Sequence, residues 1–324
     1  MSLSAYFGSL SVANLLSRMP AAAAQGMIWG LMALGVFITF RVLDIADLTV
    51  DGSFATGGAV TVMLLLAGWP SWAALLAAFA AGVLTGLVTG LLHTKLGIPA
   101  ILAGILTQFS LYSINLRIMT KANQTASIKK FGMFWEGPKG FLLSSLYVPQ
   151  AIAVGFVLAV VAICLLYWYF GTEQGSAMRA TGSNPAMSRA QGIHIETMKV
   201  IGLGLSNGMV ALAGGLMTQY QGTADVSMGR GGIVIGLAAI SIGEVLCDAI
   251  FTKGCNFAIR LLFVVFGGVI YYAVMVIILW LKLDPNDLKL FTAIIVAIFL
   301  AVPHLQAQAK SSFAHLKKQG KGRG

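Results

Sequence analysis

The stretch that decides the fold runs from Gly52 to Thr94 and reads GSFATGGAVTVMLLLAGWPSWAALLAAFAAGVLTGLVTGLLHT. It contains no Lys, Arg, Asp or Glu. It is also about twice as long as the roughly 20 residues that cross a membrane as one helix. Its clearest turn signal is Gly-Trp-Pro-Ser at residues 68–71. The stretch therefore predicts two membrane-spanning helices joined by a tight turn.

The composition of the whole chain indicates the same class of protein. Of the 324 residues, 58% are hydrophobic and 10% are charged, and the mean hydropathy is +0.86. A water-soluble domain carries roughly 25% charged residues, and disordered chains have low hydrophobicity, so both classes are excluded. We predict an all-α, polytopic membrane protein without room for a separate soluble enzyme domain.

The number of spans follows from the uncharged stretches, because a charge near the centre of the bilayer is costly. Uncharged stretches of span length lie at residues 19–40, 52–94, 96–116, 140–172, 200–224, 261–281 and 290–309, and a further apolar segment at residues 231–247 is interrupted only by Glu244 near its end. With two helices in the second stretch, the count is nine, and residues 4–18 form either a tenth short span or an interfacial helix. We therefore expect a short N-terminal helix (residues 1–20), a transmembrane domain (21–303) and a basic tail (304–324).

The charge balance reports orientation. The chain has 21 Lys and Arg against 11 Asp and Glu, and cations collect in the cytoplasmic loops of membrane proteins. We therefore expect membrane lipids and no nucleic acid around this chain. If the polar segment at residues 172–197 is cytoplasmic, alternation of the spans also places the basic tail in the cytoplasm.

Two glycine-containing patterns indicate how the helices pack. Glycines at positions 82, 86 and 90 form a flat stripe, which serves either an interface between subunits or packing within the chain. Residues 50–58 and 225–232 are similar to each other, and the span count gives them opposite directions across the membrane. Inverted repeats of this kind build many transporters, which handle their substrate where the repeats meet.

Polar residues inside apolar spans are candidates for a solute pathway. Each is either a bridge between helices or a ligand for the solute, because a polar side chain in hydrocarbon must find an internal partner. Asp51 and Ser53 also suit capping of their own helix, whereas a free helix start beside Arg230 would attract an anion. The polar candidates are Asp51, Ser53, Gln108, Asn115, Asn207, Gln219, Arg230 and Glu244, and Phe54, next to Ser53, is a further candidate for the pathway.

The sequence offers no catalytic or metal-binding group. Cys247 and Cys255 have neither metal-type spacing nor His partners, and the four His residues lie in different loops or tails. We therefore expect no enzyme activity, no redox chemistry and no bound cofactor. Glu244 is the carboxylate placed well inside an apolar segment, so it is either functional or reaches the membrane surface with its side chain.

The segment at residues 172–197 predicts a helical elbow. A helix from Glu173 would end near Gly182, and Ser183 or Asn184 would cap a second helix with Pro185 in its first turn. Two short helices joined by a tight turn form a rigid knob, which can transmit motion from another protein.

The pattern G-x-x-x-R-A-x-G-x-N-P-x-x-x-x-x-x-G-I, from Gly175 to Ile193, resembles the cytoplasmic coupling segment of ABC-importer permeases of the branched-chain amino acid and ribose type. The stretch from Ala33 to Gly58 is similar to the first conserved stretch of that superfamily. More narrowly, residues 41–54, 104–107 and 112–119 resemble permeases paired with lipoprotein binding proteins for tryptophan, tyrosine and related solutes.

The resemblance implies a membrane subunit of a bacterial cytoplasmic-membrane importer, with an inverted-repeat core of the type II ABC importer kind. It implies a second permease copy, an extracytoplasmic solute-binding lipoprotein, and an ATPase dimer that binds ATP and Mg²⁺. It assigns ATPase coupling to residues of the elbow: Glu173, Arg179, Gly182, Asn184, Pro185, Gly192 and Ile193.

The sequence supports the assignment of ATP binding to a separate subunit, since it has no G-x-x-x-x-G-K-[ST] phosphate loop of its own. The alternative is a secondary transporter driven by an ion gradient, with Glu244, Asp51 and Asp225 as ion-binding groups.

Overall fold

The computed structural model describes residues 12–126, 132–133, 140–251 and 255–280, and a few residues between 290 and 301. In this part, the chain is mostly helical. The helices are α1 (Val12–Phe37), α2 (Val50–Leu66), α3 (Ser71–Thr94), α4 (Ala100–Met119), α5 (Val148–Gly171), α6 (Glu173–Ser183), α7 (Pro185–Ala190), α8 (Ile195–Gln221), α9 (Gly232–Ile250) and α10 (Phe257–Trp280). A π-helical turn, Ile38–Val42, continues α1, and the strands β1 (Asn123–Thr125) and β2 (Thr223–Asp225) pair in antiparallel fashion.

Seven of the described helices are long and apolar enough to cross a membrane. They are α1 with its π-turn, α3, α4, α5, α8, α9 and α10. Helix α2 is apolar but shorter, with 17 residues. Eight of the nine predicted spans thus correspond to helices, and the ninth, at residues 290–309, lies mostly outside the described residues. The chain is a multi-pass membrane protein, and a count of nine to ten spans stays a prediction.

The first helix begins earlier than the sequence analysis expects. Helix α1 starts at Val12, so residues 12–18 continue into the first span. The prediction of a separate helix over residues 4–18 is corrected for this half, and residues 1–11 lie outside the described part. The physical reason is that residues 12–18 contain no helix breaker. Pro20 inside the helix is tolerated, because membrane helices satisfy the freed backbone groups through neighbours.

The bundle has two distinct ends. At the elbow end, α6 and α7 join the end of α5 to the start of α8, and Lys95 after α3 lies 4.0 Å from Glu196 in the first turn of α8. At the other end, which we call the sheet end, β1 follows α4 and β2 follows α8, with Asn123 opposite Asp225. The two-stranded sheet therefore ties the chain after α4 to the chain after α8.

Helices α3 and α8 approach each other closely through the glycine stripe at residues 82–90. A Cβ atom on Gly82 would lie 2.3 Å from the carbonyl oxygen of Asn207, and one on Gly86 would lie 2.2 Å from that of Leu203. Real side chains do not fit at such distances, so only glycine allows this backbone contact. The stripe packs within the chain, which decides between the two uses that the sequence left open.

The same kind of contact joins α2 to α8. A Cβ atom on Gly57 would lie 1.9 Å from the carbonyl oxygen of Ala211, and one on Gly214 would lie 2.0 Å from that of Phe54. Helix α8 is therefore the central helix against which α2 and α3 pack. By contrast, α3, α4 and α5 carry exposed apolar side chains such as Leu84, Phe109 and Trp168, which suit contact with lipid or with another membrane helix.

Two cysteines form a pair that the sequence analysis did not expect. Cys247 near the end of α9 is bonded to Cys255, just before α10. The pair is a structural link, and it does not test the expectation of no redox chemistry. The bond closes the short connection between α9 and α10 at the elbow end, and Cys164 is a free cysteine on α5.

The close packing of α3 on α8 makes a testable prediction. Gly86→Ala places a methyl group against the Leu203 carbonyl, so we expect the free energy of unfolding to fall by about 1–3 kcal/mol. The measurement is the midpoint of thermal unfolding in mild detergent. Gly171→Ala is the matched control, because a Cβ atom there meets nothing within 4 Å. Equal midpoints for the two variants would contradict the packing described.

Candidate solute pathway and coupling elbow

A buried polar network lies between α2, α3, α4 and α8. Ser53 Oγ donates a hydrogen bond to Asn207 Oδ1 at 2.7 Å and lies 2.7 Å from Thr85 Oγ1. Thr89 Oγ1 lies 2.8 Å from Thr49 Oγ1 and donates to Thr107 Oγ1 at 2.9 Å. Each of these side chains is buried. The network therefore satisfies, inside the protein, polar groups that hydrocarbon cannot.

Asp47 anchors this network at the start of α2. It is 2% exposed. Its Oδ1 accepts a hydrogen bond from the backbone N–H of Thr49 at 2.9 Å, and its Oδ2 accepts one from Asn207 Nδ2 at 2.7 Å. Asp47 lies three residues before α2, and its carboxyl group ties the chain that enters this helix to Asn207 of α8. Asp47 was not among the predicted site residues, although an acidic side chain between Ile45 and Leu48 was the available signal.

Asp51 caps a different helix, α9. Its Oδ2 accepts a hydrogen bond from the N–H of Gly231 at 2.9 Å, and its Oδ1 accepts one from the N–H of Ile233 at 3.0 Å. These are amides at the start of α9. The prediction that Asp51 and Ser53 cap their own helix is therefore wrong: Asp51 caps α9, and Ser53 bonds to α3 and α8.

The repeated patterns of the sequence meet at this point. Asp51 belongs to the first pattern, at residues 50–58, and Gly231 belongs to the second, at residues 225–232. The start of α9 already holds a carboxylate of the same chain. The prediction of a free helix start that attracts an anionic solute is therefore corrected for α9.

A cavity of about 440 Å³ opens beside Asp51 and extends toward the sheet end. We call it the outer cavity. It combines polar groups from α2, α4 and the start of α9 with two aromatic rings. Its side-chain lining includes Asp51, Gln108, Phe109, Tyr112, Asn115 and Arg230. The structure thus brings together four of the predicted pathway residues: Asp51, Gln108, Asn115 and Arg230.

Asn115 is one of several buried residues of the described bundle whose polar side-chain atoms have no hydrogen-bond partner. Its side chain is 1% exposed, and neither its Nδ2 nor its Oδ1 has a hydrogen-bond partner among the described residues. A buried polar group without a partner is costly. Asn115 lines the outer cavity, so a polar molecule there could supply the missing partner once the buried amide group turns toward the cavity.

The remaining uncharged candidates lie in the packed interior. Phe54 is fully buried and stacks on Trp29 with ring centroids 4.8 Å apart. Gln219 Oε1 accepts a hydrogen bond from the N–H of Leu142 at 3.1 Å. With Ser53 and Asn207 in the buried network, these four residues bridge helices or fill the core, and none of them lines the outer cavity.

Glu244 lies at the elbow end and has a specific partner. It forms an ion pair with Arg41 of the π-turn, in which Arg41 Nε donates to Glu244 Oε1 at 2.7 Å and Arg41 Nη2 donates to Oε2. Two parallel N–H···O bonds are the strong geometry for an arginine and a carboxylate. The pair ties the end of α1 to α9, so Glu244 serves a contact between helices.

The elbow has the local structure that its sequence predicts. Helix α6 begins at Glu173, and the Thr172 side chain accepts a hydrogen bond from the N–H of Gly175 at 3.3 Å. The side chain of Asn184 accepts a hydrogen bond from the N–H of Met187 at 3.0 Å, which caps α7, and Pro185 is the first residue of that helix. The predictions of a cap at Asn184 and of Pro185 in the first turn are confirmed.

The elbow contacts α5 and α8, which it joins, and it also contacts the π-turn and α10. A Cβ atom on Gly182 would lie 1.8 Å from the carbonyl oxygen of Val42, so the end of α6 rests directly on the backbone of the π-turn. The guanidinium of Arg179 lies 5.9 Å from the centre of the Phe257 ring on α10. A displacement of α6 therefore acts on α1 and on α10.

Most of the predicted coupling residues lie on the accessible surface of the elbow. Glu173, Arg179, Asn184, Pro185 and Gly192 are exposed, and Gly182 and Ile193 are partly buried. Gly192 has a φ of +82°, a conformation that favours glycine, and it turns the chain between α7 and α8. The elbow thus presents a rigid, exposed surface that a partner protein can hold.

Comparisons with known proteins describe relatives of the chain. Residues 19–303 match the family described as branched-chain amino acid transport system / permease component. The chain is 37% identical to the tyrosine transport system permease protein of Clostridioides difficile over 294 residues, which cover 90% of this chain and 93% of that protein.

More distant relatives are also transport permeases. The chain is 28% identical to a probable branched-chain amino acid transport permease protein, LivH, of Methanocaldococcus jannaschii, over 76% of this chain and 84% of that protein. It is 26% identical to the ribose import permease protein RbsC of Escherichia coli, over 68% of this chain and 66% of that protein. No solved structure matches the chain.

The contact between Asp51 and α9 makes a testable prediction. Asp51→Ala removes both acceptors and leaves the N–H groups of Gly231 and Ile233 without their partner, so we expect a loss of about 1–3 kcal/mol in the free energy of unfolding. Asp51→Asn keeps one oxygen acceptor and should lose less. The measurement is thermal unfolding in mild detergent. Unchanged stability in both variants would show that the contact does not hold α9.

Proposed function

The chain belongs to the family of permease components of branched-chain amino acid transport systems, and from that membership we propose that it carries an aromatic amino acid into the cell. The tyrosine transport permease that resembles it over most of both chains supports this choice of solute. The rings of Phe109 and Tyr112 in the outer cavity support it as well, because aromatic side chains pack favourably on one another.

The observation that carries the proposal is the contact of the elbow with the bundle. Gly182 packs on the π-turn backbone, and Arg179 stacks on Phe257. A channel needs no rigid, exposed handle of this kind, whereas an importer powered by a separate ATPase does. When the ATPase dimer binds ATP and Mg²⁺ and closes, it would move α6, and α6 would move α1 and α10.

The solute would pass beside the outer cavity. In this proposal Asn115 donates or accepts a hydrogen bond to the solute, Arg230 attracts its carboxylate, and Gln108 and Asp51 complete the polar wall. Asp51 also holds α9 in place, so its role in the pathway is mainly to position that helix. A second copy of the permease, packed near the exposed face of α4, would close the other side of the path.

The arrangement of the membrane spans forms part of the proposal. We expect the residues from 21 to 303 to form one permease domain of nine to ten spans with an inverted repeat. The meeting of residues 50–58 with residues 225–232 supports the repeat. The elbow and the basic tail, at residues 304–324, would face the cytoplasm of a bacterial cell. A solute-binding lipoprotein would dock at the sheet end.

The permease itself would contribute two conformations of different stability and no chemistry. It would bind no cofactor, because ATP and Mg²⁺ sit on the partner. The alternative, a transporter driven by an ion gradient, gains no support from its three candidate carboxylates. Glu244 is paired with Arg41, Asp51 with the start of α9, and Asp225 accepts a hydrogen bond from the N–H of Ser227 at 2.7 Å.

The coupling role of the elbow makes a testable prediction. Arg179→Glu removes the contact with Phe257 and reverses the charge that faces the partner, so we expect loss of uptake and of solute-stimulated ATPase activity while the protein stays folded in the membrane. Lys95→Glu is the control, since it reverses an exposed charge at the same end outside the elbow. Normal stimulated ATPase activity in the Arg179 variant would refute the coupling assignment.

The outer cavity makes a second prediction. Asn115→Ala removes a hydrogen-bonding group, so we expect the solute concentration for half-maximal uptake to rise about tenfold. Arg230→Gln should weaken uptake in the same direction. The measurement is the initial rate of uptake of labelled L-tyrosine, and Ser113→Ala on the same helix is the control outside the cavity. Wild-type uptake in both the Asn115 and Arg230 variants would remove this cavity from the pathway.

A further inference from the structure

A second cavity, of about 700 Å³, lies at the elbow end of the bundle. We call it the inner cavity. Its walls come from the π-turn, the end of α6, the last turns of α9 and the first turn of α10. The volume falls within the roughly 300–1,000 Å³ of sites for small molecules. Of the residues that the sequence analysis assigned to the solute pathway, only Glu244 lines it.

The lining of the inner cavity is unusually charged for a chain with 10% charged residues. Three guanidinium groups and three carboxylates line it, so its formal charges cancel. They belong to Arg41, Arg179, Arg260, Asp44, Glu244 and Asp248. Arg41 and Glu244 neutralise each other in their ion pair. Within the part of the chain that the structure covers, Asp44, Asp248 and Arg260 form no side-chain ion pair.

One wall of the inner cavity is aromatic. The Phe257 ring lies 6.0 Å from the Phe37 ring and carries the guanidinium of Arg179 on its face. Phe40 also lines the cavity and is 40% exposed. A flat apolar ring would therefore find stacking partners next to unpaired charges of both signs.

We infer that the inner cavity binds a free aromatic amino acid from the cytoplasmic side and that its occupancy slows the importer. A zwitterion suits a cavity whose net charge is zero. Its carboxylate would pair with Arg260, since a guanidinium holds a carboxylate by two parallel hydrogen bonds. Its ammonium would pair with Asp248, and its ring would pack against Phe257. The inference rests on the proposed function, because it makes the imported solute the regulator.

The position of the cavity explains how a ligand would act. Ser183 and Arg179 of α6, Asp248 of α9 and Arg260 of α10 all line the cavity. A ligand that contacts α6 together with α9 and α10 binds best in the arrangement that the structure shows, and it stabilises that arrangement against any other. The elbow would then move less readily when the ATPase closes, so accumulated solute would reduce its own import.

The first measurement is binding of L-tyrosine to the full chain in nanodiscs, by equilibrium dialysis with labelled L-tyrosine. We expect Arg260→Gln and Asp248→Asn each to weaken binding about tenfold. Tyramine lacks the carboxylate, and 3-(4-hydroxyphenyl)propionate lacks the ammonium group, so each should compete poorly. Ser113→Ala, on α4 and outside the lining of both cavities, is the matched variant that should retain this binding.

The second measurement is uptake into vesicles that carry the permease with its ATPase and binding protein. Loading the cytoplasmic side with L-tyrosine should slow ATP-driven uptake in the wild type and should leave the Arg260→Gln and Asp248→Asn variants unaffected. Thermal unfolding checks that both variants are folded.

The outcomes separate this inference from the proposed function. Binding that neither variant weakens, or equal inhibition of wild type and variants by loaded L-tyrosine, would overturn the inference. A different outcome is that L-tyrosine is not taken up with ATP, yet it binds, its binding is lost in Arg260→Gln, and the bound L-tyrosine lowers ATPase activity. That outcome would refute the proposed solute and support the cavity as a regulatory site.

Discussion

The structure depends on one constraint: a helix that starts inside a membrane leaves backbone N–H groups that no water can satisfy. Two helices of this chain start inside the bundle, and each receives a carboxylate of the same chain. Asp47 accepts from the N–H of Thr49, the residue just before α2, and Asp51 accepts from the N–H groups of Gly231 and Ile233 at the start of α9. The acidic residues of the interior are thereby committed to holding helices, and they are not free to bind a transported ion.

The helices then form two groups, which meet where α1 packs on α8 and where Asp51 caps α9. Helices α2, α3 and α8 pack through glycines with their backbones in contact, and α4 joins them through the threonine network. Helix α1 packs on α9 and α10, and Arg41 with Glu244 reinforces that group at the elbow end. The elbow contacts α1 and α10 of the second group and α8 of the first. Motion of the elbow therefore acts on both groups.

Local features could be predicted from the sequence, because neighbouring residues determine them. The length of the uncharged stretches predicted the spans between residue 19 and residue 281. The capping residue Asn184, followed by Pro185, predicted the second helix of the elbow. Contacts across the bundle could not be predicted. The partner of Asp51 lies 180 residues away in the chain, and its identity depends on how α2 and α9 pack. The rotation of each helix decides that Asn115 lines a cavity whereas Asn207 is buried in a network, and polarity alone does not distinguish them.

The most direct test of the account is the side of the membrane on which the elbow lies and whether a partner covers it. Ala186 in α7 is exposed, so Ala186→Cys can be labelled with a maleimide that does not cross membranes, with the unmodified chain as the background. The account predicts labelling in inside-out vesicles, protection when the ATPase is present, and no labelling in intact cells. Labelling of Ala186→Cys in intact cells would contradict it.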